Sequence, residues 1–145
     1  MGVPATLSRK AVATVALIGL EEGASAILRD CFKQFGIRTT AVGGDAIQRL
    51  KREKFEACVL RLHETGAEAI LEAARTSSSN RRIVVYGICS SAQEALRFSR
   101  YGVNAILADP VERQGALRVV RATHLLVINE LRRYVRIPKI GRAHV

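Results

Sequence analysis

Three places in this 145-residue sequence gather side chains able to do chemistry. The first is Arg61-Leu62-His63-Glu64, directly after an apolar run. A guanidinium there would bind phosphate or pair with carboxylates, and an imidazole beside a carboxylate would suit a general base or a metal ligand. No second ligand and no evident nucleophile accompanies His63, so His63 and Glu64 read as a solvated loop. The second place is the acidic pair Glu21-Glu22, which also favours a helix N-terminus through the helix dipole. The third is Asp109-Pro110, since Asp before Pro is a common way to open a helix. Cys31, Cys58 and Cys89 are few, far apart and embedded in apolar patterns, and so read as small core residues.

Composition bounds what these residues can serve. The chain fits one domain with a sizeable core, and 48% hydrophobic with 25% charged residues is ordinary for a globule. No apolar run is long enough to span a bilayer, and the opening MGVPATLSRK lacks the pattern of a secretory signal, so a cytoplasmic location is expected. The formal charge is +10 and the pI near 10.4. Its clusters are short and scattered: Arg49, Lys51, Arg52 and Lys54; Arg81 and Arg82; Arg132, Arg133 and Arg136. With no Trp and three Tyr, stacking on single strands has little support. A solvated basic surface is expected in preference to a nucleic-acid groove.

Hydrophobic patterning supplies the elements that must position the candidates. Residues 11–20 read as a buried strand, as do 37–42, 55–62 (FEACVLRL), 82–88 and 103–108. Between them, three- and four-residue apolar spacing predicts helices over 24–35, 46–53 and 65–75. A further helix is capped by Ser90 or Ser91, with Ala92, Ala95 and Leu96 inward, and Gly102 ends it. Asp45 is a candidate N-cap, and Thr76 to Asn80 reads as a polar surface loop. A last helix is expected from Val111 or Glu112 to about Leu131. Five strands alternating with helices require right-handed crossovers and a parallel sheet covered on both faces, a three-layer α/β sandwich.

This layout, with the strand-ending Asp109-Pro110, resembles the receiver domain of bacterial response regulators. The resemblance covers roughly Val12 to Ile128 within a domain placed at 11–128, and it implies a flavodoxin-like sheet of order 2-1-3-4-5. It also implies a phosphorylation site: an acidic pair for Mg²⁺ after strand one, a phosphoacceptor Asp ending strand three, a Thr or Ser ending strand four, and a Lys before the Pro after strand five. The matching positions here are Glu21 and Glu22, displaced toward the helix, then Arg61, Gly87, and Asp109 before Pro110. Arg61 cannot take a phosphoryl group, and Gly87 has no hydroxyl. Asp and Lys stand exchanged as Arg61 and Asp109, which would form a swapped ion pair that locks the site; alternatively Arg61 leans into solvent while Asp109 caps the last helix.

In the last helix, Leu117, Val120, His124, Val127 and Leu131 alternate by three and four, with Val119, Leu126 and Ile128 off that stripe. One face can pack on the sheet while the other meets a partner, and the stripe is assigned to a homodimer or to a signalling partner; the alternative is a longer helix folded wholly onto its own domain. The helix leads into ELRRYVRIP (130–138), which resembles the opening of a PilZ domain, a cyclic di-GMP receptor module, with Arg132 and Arg136 matching its RxxxR motif. That resemblance implies cyclic di-GMP as a ligand of a longer protein whose PilZ domain lies mostly outside this sequence. Residues 139–145, KIGRAHV, read as a translated sequencing adapter and are set aside; without them the charge is +8, from 21 basic and 13 acidic residues. The function expected is a non-phosphorylatable receiver-like regulatory module, not an enzyme, with no cofactor or metal of its own. The alternatives are an interaction adaptor without a nucleotide link and, third, a basic nucleic-acid-binding domain.

Overall fold

The computed structural model describes the backbone of residues 12–143 and the side chains of 12–134. Five short strands form: β1 (Thr14–Ile18), β2 (Arg38–Val42), β3 (Ala57–Arg61), β4 (Val84–Cys89) and β5 (Val103–Ala108). They pair in parallel in the order β2-β1-β3-β4-β5. β3 and β4 are near-continuous apolar runs because both faces are covered, as expected of a parallel sheet with helices on each side.

Five helices do the covering: α1 (Glu22–Lys33), α2 (Ala46–Arg52), α3 (Ala67–Thr76), α4 (Ala92–Arg97) and α5 (Arg113–Ala143). On one face Leu28, Cys31 and Phe32 of α1 and Val120, Val127 and Leu131 of α5 pack on Val15, Val59, Tyr86 and Ile88. Phe32 meets Tyr86 edge to face at 5.3 Å, and the Tyr86 hydroxyl bonds Thr123 Oγ1 at 2.7 Å. Burial pushes that phenol up to about 12. On the other face Leu50 of α2 and Leu71 of α3 pack on Cys58, Leu60 and Val85. All three cysteines are buried and free, and burial pushes the Cys58 thiol up to about 12, which leaves it inert.

Several expectations are corrected. The stripe Leu117, Val120, His124, Val127 and Leu131, assigned to a partner, faces the chain's own sheet and α1. Val120, Val127 and Leu131 are buried in the core, Leu117 packs against it, and His124 stacks on Phe35 at 4.3 Å. A sheet edge needs one full helix face to cover it, and the most apolar stripe does that. Among the described residues the large apolar side chains left in solvent on α5 are Leu125 and Leu126. Ala92 and Leu96 point outward, because α4 is only six residues long and Phe98, which follows it, and Tyr101 of the 3₁₀ turn Ser99–Tyr101 cover the sheet instead. Asp45 makes no side-chain cap bond, whereas Ser91 accepts from the Glu94 amide. The 76–80 segment is not all surface: Asn80 is fully buried, accepting from Phe55 N and donating to the Leu50 and Glu53 carbonyls.

The last helix begins at Arg113, not 111 or 112, and continues past Leu131 to Ala143. Its later part is fastened where α2 enters β3. Lys54 Nζ lies 2.6 Å from Glu130 Oε2 and 2.9 Å from the Ser79 carbonyl, and 4.6 Å from the Tyr134 ring centre. Arg133 adds two bonds to Glu130 at 3.1 and 3.2 Å. These contacts and the strong helix formers Leu131, Arg132 and Arg133 favour continuation over a stop. The segment read as a PilZ opening (130–138) thus lies within this helix and the one read as an adapter tail (139–145) begins within it; the Arg136 side chain lies outside the described residues. Among the described residues no helix is long and apolar enough to cross a membrane.

Candidate functional site

In an open parallel sheet, functional groups collect outside the carboxyl ends of the strands. Arg61, the last residue of β3, reaches that end with its side chain 11% exposed. It does not lean into solvent. Its Nη1 and Nη2 donate to Glu21 Oε1 and Oε2 at 2.7 and 3.1 Å, a two-pronged pairing. Its Nε and Nη2 also lie 3.4 and 3.5 Å from Asp109 Oδ2 and Oδ1. One guanidinium therefore holds two carboxylates. The Glu21 carboxyl is lowered mainly by its hydrogen bonds from Arg61, and the Arg61 guanidinium is raised mainly by the same contact.

The nearer partner is the one the sequence reading left out. The ends of β3 and β5 are not adjacent, because β4 lies between them, while β1 is hydrogen-bonded directly to β3. Glu21, which follows β1 and serves as the N-cap residue of α1, is thereby delivered beside the end of β3. The order 2-1-3-4-5 was the signal that pointed to it. Glu22 turns away, exposed and 3.7 Å from Arg29. Asp109 follows β5 on a cis peptide to Pro110 and does not cap α5, whose first residue is four positions later.

Gly87 also needs correction as the missing hydroxyl position. Side chains alternate across a strand, and a Cβ at Gly87 would sit 2.7 Å from Leu62 Cδ1, on the sheet face away from Arg61. The β4 residue paired in register with Arg61 is Ile88, whose side chain lies in the core cluster on the α1 and α5 face. Ile88, like Gly87, has no hydroxyl. His63 and Glu64 are exposed in the loop after β3. Among the described residues no group of three or more His, Cys, Asp or Glu side chains is placed to share a metal ion.

The sequence matches no protein-family model and no curated protein. Solved structures do match. A chemotaxis response regulator of Vibrio cholerae is similar with a TM-score of 0.66 and 11% identity, over 77% of this chain and 98% of that one. A response regulator receiver protein from Sinorhizobium medicae gives 0.62 and 20% identity, over 82% and 97%. The receiver domain of a sensor histidine kinase from Pseudomonas aeruginosa, solved with a magnesium ion in its active-site cleft, gives 0.60 and 16%, over 79% and 94%.

At such identities the likeness speaks for architecture: the chain has the flavodoxin-like receiver fold. The residues at its strand ends do not fit the Mg²⁺ that the fold implies. Mg²⁺ requires near-octahedral oxygen ligation, whereas Glu21 and Asp109 are both turned onto one guanidinium and, among the described residues, no third carboxylate joins them.

Proposed function

We propose that this chain is a receiver-like regulatory module of a bacterial signalling protein that neither binds Mg²⁺ nor accepts a phosphoryl group. The observation that carries this is Arg61 at the end of β3, clamped by Glu21 and Asp109. A guanidinium has no nucleophilic oxygen and repels a divalent cation, and Glu21 and Asp109, the carboxylates beside it, are both turned onto it. The module then works through its fixed shape, with no enzymatic step. The likeness of ELRRYVRIP to a PilZ opening supports coupling to cyclic di-GMP. Arg132 is exposed on α5, and Arg132 with a second arginine four residues on supplies guanidiniums for phosphates and guanine edges.

Titrating Mg²⁺ and cyclic di-GMP separately into the ¹⁵N-labelled chain tests both parts. Mg²⁺ is expected to cause no saturable shift around Glu21, Arg61 and Asp109. The nucleotide is expected to bind this chain weakly or not at all, any shifts being centred on Arg132 and lost in Arg132→Ala. Saturable Mg²⁺ shifts at the strand ends would contradict the clamped site, and absence of a D/NxSxxG motif downstream in the longer reading frame would remove the cyclic di-GMP coupling.

A further inference from the structure

Basic clusters that are scattered in sequence become one surface in the fold. Each β-α unit of a parallel sheet begins at the same end, so residues leading into different strands share a face. Arg38 opens β2, Lys51 and Arg52 close α2 just before β3, and Arg81 and Arg82 precede β4. Arg132 joins them from α5, two residues past the Glu130 that pairs with Lys54 at this same end. All six side chains are exposed, and none forms an ion pair among the described residues. The opposite end is acidic, with Glu21, Asp45, Glu64, Glu94 and Asp109 each following one of the five strands. The molecule is electrically polar along its strands.

Helix dipoles account for part of this, since cations are favoured in a last helical turn. Lys51 and Arg52 are so placed. Arg38 and Arg81 are not, each lying five residues beyond the end of the preceding helix. From β2 to β4 the row crosses three strand spacings, about 14 Å, while duplex DNA presents one charge per about 1.7 Å of its axis. Five of the six cations are arginines, whose planar forks match phosphate oxygens. The aromatic rings near this end are engaged, Tyr134 beside Lys54 Nζ at 4.6 Å and Phe35 stacked on His124, which leaves little for stacking single-stranded bases. Among the described residues the exposed large apolar side chains are Leu96, Ile106, Leu125 and Leu126; of these Leu126 shares a groove with Arg82, a single leucine where a lipid-binding face carries a broad apolar flank.

We infer that the amino-end face of the sheet binds the phosphate backbone of duplex nucleic acid without reading its sequence. Fluorescence anisotropy of a labelled random-sequence DNA duplex with the full chain tests this. Six phosphate contacts predict a slope of log K against log salt of about −5. Arg81→Glu/Arg82→Glu is expected to weaken binding more than tenfold and to make the slope shallower. Arg118→Glu/Arg121→Glu removes the same charge from exposed positions on α5 away from this end and is expected to weaken it less than threefold. Circular dichroism melts confirm that both variants fold. Equal losses from the two variants, a salt slope near zero, or binding to phosphatidylserine vesicles with none to the duplex would each overturn the inference.

Discussion

Replacing Lys54 with alanine is expected to lower the unfolding free energy by about 3 kcal/mol, the loss typical when one member of a buried ion pair is removed. Lys54 and Glu130 are each only 6% exposed and stand 2.6 Å apart. Without the ammonium, Glu130 keeps Arg133 but loses its shortest contact, and the Ser79 carbonyl loses its donor. Replacing both partners, as Lys54→Met with Glu130→Leu, is expected to cost less than the single change, because a desolvated charge is no longer stranded. Urea denaturation of the three proteins at neutral pH makes the comparison.

The same pair has a pH signature. Burial acts to raise the Glu130 carboxyl, but hydrogen bonds from Arg133 and Lys54 outweigh it and hold the group below the ordinary carboxylate range. A carboxyl lowered in the folded state adds stability at pH above its unfolded value. That contribution is lost as pH falls through the folded value. In Lys54→Met the loss is expected to begin at higher pH than in the parent.

Arg61→Ala is the second large effect, about 1–3 kcal/mol, because one side chain serves two carboxylates. Distance and burial rank the partners differently. Glu21 is closer, at 2.7 Å, but 61% exposed, so its carboxylate is readily rehydrated when Arg61 is gone. Asp109 is farther, at 3.4 Å, but only 20% exposed. Double-mutant cycles are expected to give roughly 0.5–1 kcal/mol of coupling for Arg61 with Glu21, strongly reduced in 1 M salt. Coupling with Asp109 is expected at about 1 kcal/mol, less sensitive to salt. Arg61→Asp is expected to be the most destabilising single change here, since it groups three carboxylates at the strand ends.

Apolar runs such as FEACVLRL announced the buried strands, and their alternation with helical spacing announced a parallel sheet. What the chain hid depended on which strands are neighbours and which face each residue takes. Glu21 meets Arg61 only because β1, not β5, lies beside β3. Gly87 and Ile88 exchange roles with a single step along β4. The stripe on α5 had the right period, yet periodicity marks an apolar face without saying whether the chain or a partner covers it. Lys54 and Glu130 are 76 positions apart and carry no local pattern. Asn80 looked like loop polarity and is instead the buried anchor joining the end of α2 to the start of β3.

At Arg61 a guanidinium stands where a receiver would carry its phosphoacceptor, which is why the proposed module accepts no phosphoryl group. Incubating the intact chain with acetyl phosphate and Mg²⁺, followed by intact-mass spectrometry, tests it most directly. The mass is expected to stay unchanged at every time point. A phosphoryl adduct that forms with Mg²⁺ and is lost on raising the pH would be an acyl phosphate, and would contradict the account.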